Sequence, residues 1–382
     1  MGLLDKIEPK TEGQRKLVTA LKNPNIEIVG VFGPTGTGKS LLSTAYGIDS
    51  VMDGTYDRFI IFRPVIDVTK GVELTPIELG DLYYRVAAEY LNDLLHGYIS
   101  GSELGKLLES KRILIADPHF LRGRTFDNTV ILFDDVQNAS PENVCETIMR
   151  VGYNSKLIIA GDPIFQSVSN QEVNVGSLIR EILLGEDKTV VVDLGLKDIV
   201  RPGAKRGLRL ALELRMRKRS LSDIESKILN SARVHSPDAD VITVVEFKDK
   251  KEELNITSEN APDALIISKE GYLGRLVGRG GERIQAIEKD LGMKIRCVEL
   301  TSSLKDIVTA VHPVGWIGKH IVDVDFAGPS LQVSVISDAL GAFIGQKGMY
   351  IRLLDHVFNK LMGIGVIVST VEAKRKARRR KR

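Results

Sequence analysis

Eight consecutive residues, Gly33-Pro34-Thr35-Gly36-Thr37-Gly38-Lys39-Ser40, satisfy the pattern G-x-x-x-x-G-K-[ST]. A strand-like run, IEIVGVF, precedes them and a helix-like run, LLSTAYGIDSVM, follows, which is the context in which such a loop cradles phosphate. Glycine lets successive backbone N–H groups turn inward around a β-phosphate, where a side chain would intrude. Lys39 supplies a point charge between β- and γ-phosphates. Ser40, at the positive end of the following helix, offers a hydroxyl to Mg2+. A second group is Val130-Ile131-Leu132-Phe133-Asp134-Asp135, four apolar residues running into two acids. A buried strand that ends in carboxylates puts them at the C-terminal edge of a sheet, beside the phosphate loop. There Asp134 is expected to hold Mg2+ and Asp135 to polarise an attacking water as general base.

The elements that must position these groups are legible as alternating β-rich and helical patterns over the first 200 residues. Candidate strands lie at 26–32, 59–62, 112–115, 130–133, 156–160 and 189–192. Alternation of this kind predicts an α/β fold in which helices cover both faces of a parallel sheet. The segment 203–237 has a helical pattern and the basic cluster Lys205, Arg206, Arg209, Arg215, Arg217, Lys218 and Arg219. It reads either as a solvated helix face or as a surface turned toward RNA. Beyond Asp238 short strands appear, then a Gly-rich turn, a helix and another strand. A similar order returns from 321 to 368, and the two G-x-x-G turns lie 67 residues apart. Duplication of a small α+β unit is the economical reading.

Composition narrows the class. Cys145 and Cys297 are the only cysteines, which excludes a disulfide framework or a cysteine-rich zinc site. The six histidines show no metal-ligand spacing. No apolar stretch approaches the roughly 18–20 residues needed to cross a bilayer, and MGLLDKIEPK lacks the pattern of a signal peptide. A cytoplasmic protein without a membrane partner is expected. The net charge of +3 is uneven: the last nine residues, KRKARRRKR, carry eight positive charges, so the remainder nets −5. Such a block cannot bury itself and is expected to be a disordered tail suited to polyphosphate partners.

Five motifs in order, GPTGTGKS, RGRTF, VILFDDVQN, RVGYNSKLIIAGD and DIVRP, resemble the PhoH-like ATPase family, relatives of superfamily 1 helicases. The resemblance covers residues 8–205 and implies a P-loop NTPase fold with ATP and Mg2+ as cofactors. PKTEGQ, ending in Gln14, is similar to the family's upstream glutamine motif, and Gln14 would then read the adenine edge through its amide. Arg63, in IIFRPV, is similar to a family strand end. Arg122 and Arg124 would contact nucleic acid or a neighbouring subunit. Asp162 and Gln166 resemble the element that senses the γ-phosphate, and Arg150 and Arg201 are candidate arginine fingers, one acting from a neighbouring subunit. A homo-oligomer, in the form of a hexameric ring, is what the resemblance suggests. Asp135 stands where the family pattern has glutamate, and Gln166 falls one residue later than its spacing.

The segment around Gly278-Arg279-Gly280-Gly281 resembles the core of a KH domain, whose tight turn clamps about four unpaired nucleotides. Gly345-Gln346-Lys347-Gly348 is the matching turn of a second unit. Apolar stripes follow each turn, at Ile284, Ile287 and Leu291, and at Ile351, Leu354, Phe358 and Leu361. Trp316 is expected in a core or an interface. The expected organisation is an ATPase domain at 1–202, a basic helical linker at 203–237, KH-like RNA-binding domains at 238–302 and 303–372, and a disordered tail at 373–382. Two functions stay open: ATP-driven remodelling of single-stranded or structured RNA, helicase action included, or a nucleotide-switched RNA-binding factor in ribosome assembly or RNA metabolism, with slow hydrolysis and no unwinding.

Overall fold

The computed structural model describes residues 2–67, 72–74, 79–117, 123–165 and 174–372. Arg122, Gln166 and the basic run 374–382 lie outside the described residues. The chain divides into two compact units, the first ending at Lys205 and the second beginning at Arg206, with the turn 327–329 grouped with the first.

In the first unit six strands, β1 (Ile28–Phe32), β2 (Arg58–Phe62), β3 (Ile113–Ala116), β4 (Thr129–Phe133), β5 (Lys156–Gly161) and β6 (Thr189–Asp193), form one sheet in the order β3-β2-β4-β5-β1-β6. Every pairing is parallel. All six expected strands are present, shifted by at most two residues at either end. A parallel sheet needs crossover helices on its faces, so its central strands are mostly apolar; every residue of β4 and β5 is buried. Two apolar clusters, one on each side of the sheet, hold Val29, Ile48, Phe59 and Leu132 on one face and Phe32, Phe62, Phe133 and Ile159 on the other. The helices that bear on the site are α1 (Glu12–Lys22), α2 (Lys39–Met52), α3 (Asp81–Leu94), α4 (Pro141–Ile148) and α5 (Val175–Leu183).

One buried residue of β5 is charged by type. Lys156 reaches the C-terminal end of α1, where Nζ donates to the carbonyls of Leu21 (2.7 Å) and Asn23 (2.8 Å). Burial pushes its pKa down to about 8, and a neutral amine still carries the two hydrogens those carbonyls accept.

The helix α6 (Pro202–Arg217) begins four residues before the second unit, and α7 (Asp223–His235) follows within it. Then come β7 (Val241–Glu246), β8 (Ala264–Lys269), α8 (Leu273–Val277), α9 (Glu282–Leu291) and β9 (Ile295–Leu300), followed by α10 (Lys305–Val311), β10 (Ile321–Ala327), β11 (Ser330–Ile336), α11 (Leu340–Ile344), α12 (Met349–Met362) and β12 (Val366–Val371). The set from α10 runs helix, strand, strand, helix, helix, strand, and the set from α7 follows the same order with one short extra helix, Lys248–Glu253, between its first two strands. Each makes a three-stranded sheet whose middle strand is its second in sequence, and in each the last two strands pair in parallel. The region expected as a linker therefore ends in a helix of the first repeat, for Ile228 and Ala232 of α7 sit in its core with Val244, Ile266, Leu276 and Ile287.

In the basic cluster, Lys205, Arg206 and Lys218 are exposed, while four arginines have partners within the unit. Arg209 pairs with Glu270 at 3.3 Å, Arg217 with Glu213 and Asp240, and Arg219 with Glu225, while Arg215 donates to the Met362 carbonyl. Glu225, 1% exposed, also receives the N–H groups of Ser222 and Glu246 and the ammonium of Lys360 from α12, 3.2 Å away. Lys360 donates in addition to the Glu246 carbonyl, so this network ties the second repeat to the first. Trp316 is half exposed, since the short turn it opens buries the next residue, Ile317.

Two stability outcomes follow. Glu225→Ala strands two basic groups and two N–H donors, and urea unfolding should show a loss of about 3 kcal/mol for the transition of the second unit. For Lys156 the folded pKa lies below the unfolded one, so its contribution is complete above about pH 10.4 and disappears as the pH falls through 8. Wild type should accordingly gain up to about 3 kcal/mol relative to Lys156→Met between pH 8 and 10.5, read by denaturant titration at each pH.

Candidate functional site

Every parallel strand delivers its C-terminal residue to the same edge of the sheet, and the functional groups are collected there. The phosphate loop leaves β1, Arg63 follows β2, Asp134 and Asp135 follow β4, and Asp162 follows β5, which lies between β1 and β4. The loop's backbone is closed to side chains at its glycines. A Cβ on Gly33 would stand 2.3 Å from the Leu194 carbonyl oxygen, and Gly38 turns into α2 at φ 92°.

Lys39 is buried, and its ammonium donates to the carbonyls of Gly33 (2.6 Å) and Pro34 (3.0 Å). Burial pulls its pKa down, against the charges of Asp162, Asp135 and Asp134. Thr37 Oγ1 donates to the Pro34 carbonyl, closing the loop. Gln14, in the first turn of α1, is also buried. Its Nε2 donates to the Thr37 carbonyl (2.9 Å), and its Oε1 accepts from the Lys10 N–H (2.8 Å). The glutamine is thus brought to the phosphate loop, with its amide engaged by backbone on both ends.

Asp134 is 1% exposed. Ser40 Oγ donates to its Oδ1 at 2.8 Å, while Arg63 Nη1 (2.7 Å) and the Tyr90 hydroxyl (3.1 Å) meet Oδ2. The other arm of the guanidinium, Nη2, pairs with Asp135 at 2.7 Å. Burial, then the neighbouring Asp135, raises the Asp134 carboxyl; Arg63, Ser40 and Lys39 oppose that. Asp135 itself has φ 53° and ψ 43°, a left-handed conformation uncommon outside glycine. That reversal folds Gln137 back between the two strand ends. Its Nε2 donates to Asp135 Oδ1 (3.2 Å), and its Oε1 accepts the Asp162 N–H (2.8 Å). Asp162 Oδ1 caps the N–H groups of Ile164 and Phe165, while Oδ2 is buried and has no hydrogen-bond partner among the described residues.

A cavity of about 390 Å³ opens over these groups, lined by Thr35, Lys39, Ser40, Arg63, Tyr90, Asp135 and Arg201 among others. Arg201 is exposed there, placed just after a segment anchored by Val200 N–H to the Gly36 carbonyl. The oxygen donors Ser40 and Asp134 suit Mg2+, which takes one or two carboxylates and completes its shell from phosphates and water. The loop N–H groups, Lys39 and the buried Asp162 Oδ2 fit a triphosphate and its hydration.

Arg150 is not brought to this edge. It follows α4 and precedes β5, at the opposite end of the strands, where its carbonyl accepts the Phe126 N–H and its side chain pairs with Glu146 at 2.9 Å. Arg124 stacks on Phe126, 5.4 Å from the ring centre. Two residues escaped sequence reading. Gln137 stood inside a quoted motif, VILFDDVQN, with no role assigned. Tyr90 comes from a stretch that matches family patterns only loosely, and nothing in its spacing marked it.

In the second unit the turns 278–281 and 345–348 have the same backbone course. Positive φ occurs at the first, third and fourth positions of each: 79°, 63° and 85° in one, 74°, 51° and 76° in the other. A Cβ on Gly278 or Gly345 would lie 2.7 Å from the Arg283 or Tyr350 side chain. The two central residues of each turn, Arg279 and Gly280, and Gln346 and Lys347, are exposed.

Because Gln137 holds two strand ends together from a fully buried position, Gln137→Ala leaves the Asp162 N–H without its acceptor. The expected loss in urea unfolding of the first unit is about 1–3 kcal/mol.

The PhoH-like protein family profile matches residues 6–213. A PhoH-like protein of Bacillus subtilis is 32% identical over 198 residues, covering 51% of this chain and 60% of that protein. One from Synechocystis is 27% identical over 197 residues, 51% and 58% of the two. The chain thus spans less than two thirds of the relatives it matches. Among solved structures, the large terminase of a thermophilic bacteriophage in complex with ADP aligns at 12% identity and a TM-score of 0.32, over 56% of this chain and 51% of that one. With the profile spanning more than half of its length and the phosphate loop, paired acids and parallel sheet in place, this chain belongs to the PhoH-like protein family.

Proposed function

We propose that the protein is an ATPase that binds RNA through two KH-like repeats and uses the nucleotide cycle to remodel single-stranded or structured RNA. The observation that carries the first half is the convergence of Lys39, Ser40 and Asp135 on one cavity, with Asp134 hydrogen-bonded to Ser40 and the charge of Asp162 acting on Lys39. When bound, Mg2+ neutralises charge on the β- and γ-phosphates. Ser40 and Asp134 would hold it, Asp135 would orient water, and Arg201 would stabilise the transferred phosphoryl from within the chain. Arg150, at the far strand ends, could serve only a neighbouring copy, which is the basis for proposing a homo-oligomeric ring.

The second half is supported by the shared α-β-β-α-α-β order, into which the first repeat inserts the short helix Lys248–Glu253, and by the matching exposed turns with Arg279 and Lys347. Glycine-bordered turns of this kind let a sugar-phosphate chain approach the backbone, and two clamps tied together by the Glu225–Lys360 network would raise effective concentration along one strand. Cytoplasmic RNA, ribosomal RNA included, is the proposed partner. Among the described residues no helix is long and apolar enough to cross a membrane.

One observation favours a second reading, a nucleotide-switched RNA-binding factor with slow hydrolysis: the proposed base, Asp135, is already engaged by Arg63 and Gln137. A single set of assays separates the readings. Lys39→Ala should lower ATP turnover on the order of 100-fold or more, and single-stranded RNA should stimulate the wild type. Replacing the central pairs of both turns by Asp-Asp should remove that stimulation while leaving basal turnover intact. Hydrolysis indifferent to RNA defeats the remodelling reading, and equal RNA affinity with ATP and ADP defeats the switch.

A further inference from the structure

The side chain of Arg63 is built into the site more firmly than a strand-end residue requires. Its two arms fork onto Asp134 and Asp135, each at 2.7 Å. One helix supports it from two positions two turns apart. Tyr83 donates its hydroxyl to the Arg63 carbonyl at 3.1 Å, and the Tyr90 ring lies 3.5 Å from the guanidinium carbon. Tyr90 also reaches Asp134 with its hydroxyl, so both charges are held by the same ring. Stacking on an aromatic face and a bidentate contact with carboxylates are what a planar guanidinium does and an ammonium cannot.

These contacts fall on the oxygens a divalent cation would use. Asp134 Oδ2 is taken by Arg63 and Tyr90, and Oδ1 by Ser40. A lone cation must displace a desolvated, doubly bonded pair, which is costly. A triphosphate changes that balance. Arg63 and Tyr90 line the same cavity as Thr35, Lys39 and Arg201, so phosphate oxygens offer the guanidinium a second anionic partner. Accepting the nucleotide site proposed above, we infer that Arg63, seated on Tyr90, is a positioning residue that closes the paired acids to a lone divalent cation and yields them to a cation arriving with nucleotide. Metal and nucleotide binding are then positively coupled through one side chain, and the coupling is reciprocal.

The test is Mn2+ binding to the full chain, followed by electron paramagnetic resonance, with and without the non-hydrolysable analogue AMP-PNP. Without nucleotide, wild type should bind Mn2+ weakly and Arg63→Gln roughly tenfold more tightly. Arg63→Lys, which keeps the charge without the fork, should fall between. Tyr90→Phe, which keeps the ring face and removes the contact with Asp134, should move in the same direction by less. AMP-PNP should tighten Mn2+ binding strongly in wild type and much less in Arg63→Gln. Folded Arg63→Gln and Tyr90→Phe proteins that bind Mn2+ no more tightly than wild type overturn the inference, and if Arg63→Gln does not fold, unchanged binding by Tyr90→Phe overturns it alone. Failure of AMP-PNP to bind wild type at all, measured by calorimetry, would sink the nucleotide site itself and this coupling with it.

Discussion

A carboxylate at the end of a fully buried strand must be met by partners, because an isolated charge out of water costs far more than the fold can supply. Asp134 is that carboxylate, and the first unit is arranged around satisfying it. Its contacts come from Ser40 at the start of α2, Arg63 after β2 and Tyr90 on α3, three segments that only a parallel sheet with a common C-terminal edge brings together. The same edge receives the phosphate loop and Asp162, so the demand for charge compensation and the proposed nucleotide site are one arrangement.

Gln137 extends the logic sideways. An amide can give and accept at once, and this one links the acid after β4 to the backbone after β5. The left-handed turn at Asp135 is what allows it, and it aims the second acid at Arg63 rather than along the strand. In the second unit charge plays a quieter part: the arginines of α6 that invite an RNA-binding reading are mostly spent on Glu213, Asp240, Glu225 and Glu270. Positive charge that faces outward is found at Lys205, Arg206 and Lys218 and, on the turns, at Arg279 and Lys347.

The strands, the phosphate loop and both repeats were legible in the chain because each is a local pattern. Apolar runs of strand length, a glycine spacing and a tight turn followed by an apolar stripe all act over a few residues. Boundaries moved by only one or two residues. What local pattern could not reveal was who pairs with whom. The linker expected at 203–237 hid a helix of the first repeat, because Ile228 and Ala232 acquire meaning only against Ile266 and Ile287. Trp316, read as a core or interface aromatic, lies half in solvent because burial at a short turn falls to one neighbour and not the other. Gln14 reached the expected loop, yet its hydrogen bonds go to backbone.

Residue order alone therefore determined the chemistry on offer: a loop of glycines whose N–H groups can surround phosphate, a lysine and a serine at fixed distances from it, two acids at a strand end, and two glycine-bordered turns. Steric and conformational rules operate between neighbours, and these features need nothing more. Only the tertiary structure decided that Arg63 and Tyr90 face the acids, that Gln137 spans to Asp162 and that Arg150 lies at the wrong end of the strands for its own site. Those outcomes depend on sheet order and on contacts between residues 25 to 94 positions apart, which desolvation of charge selects and no short-range pattern encodes.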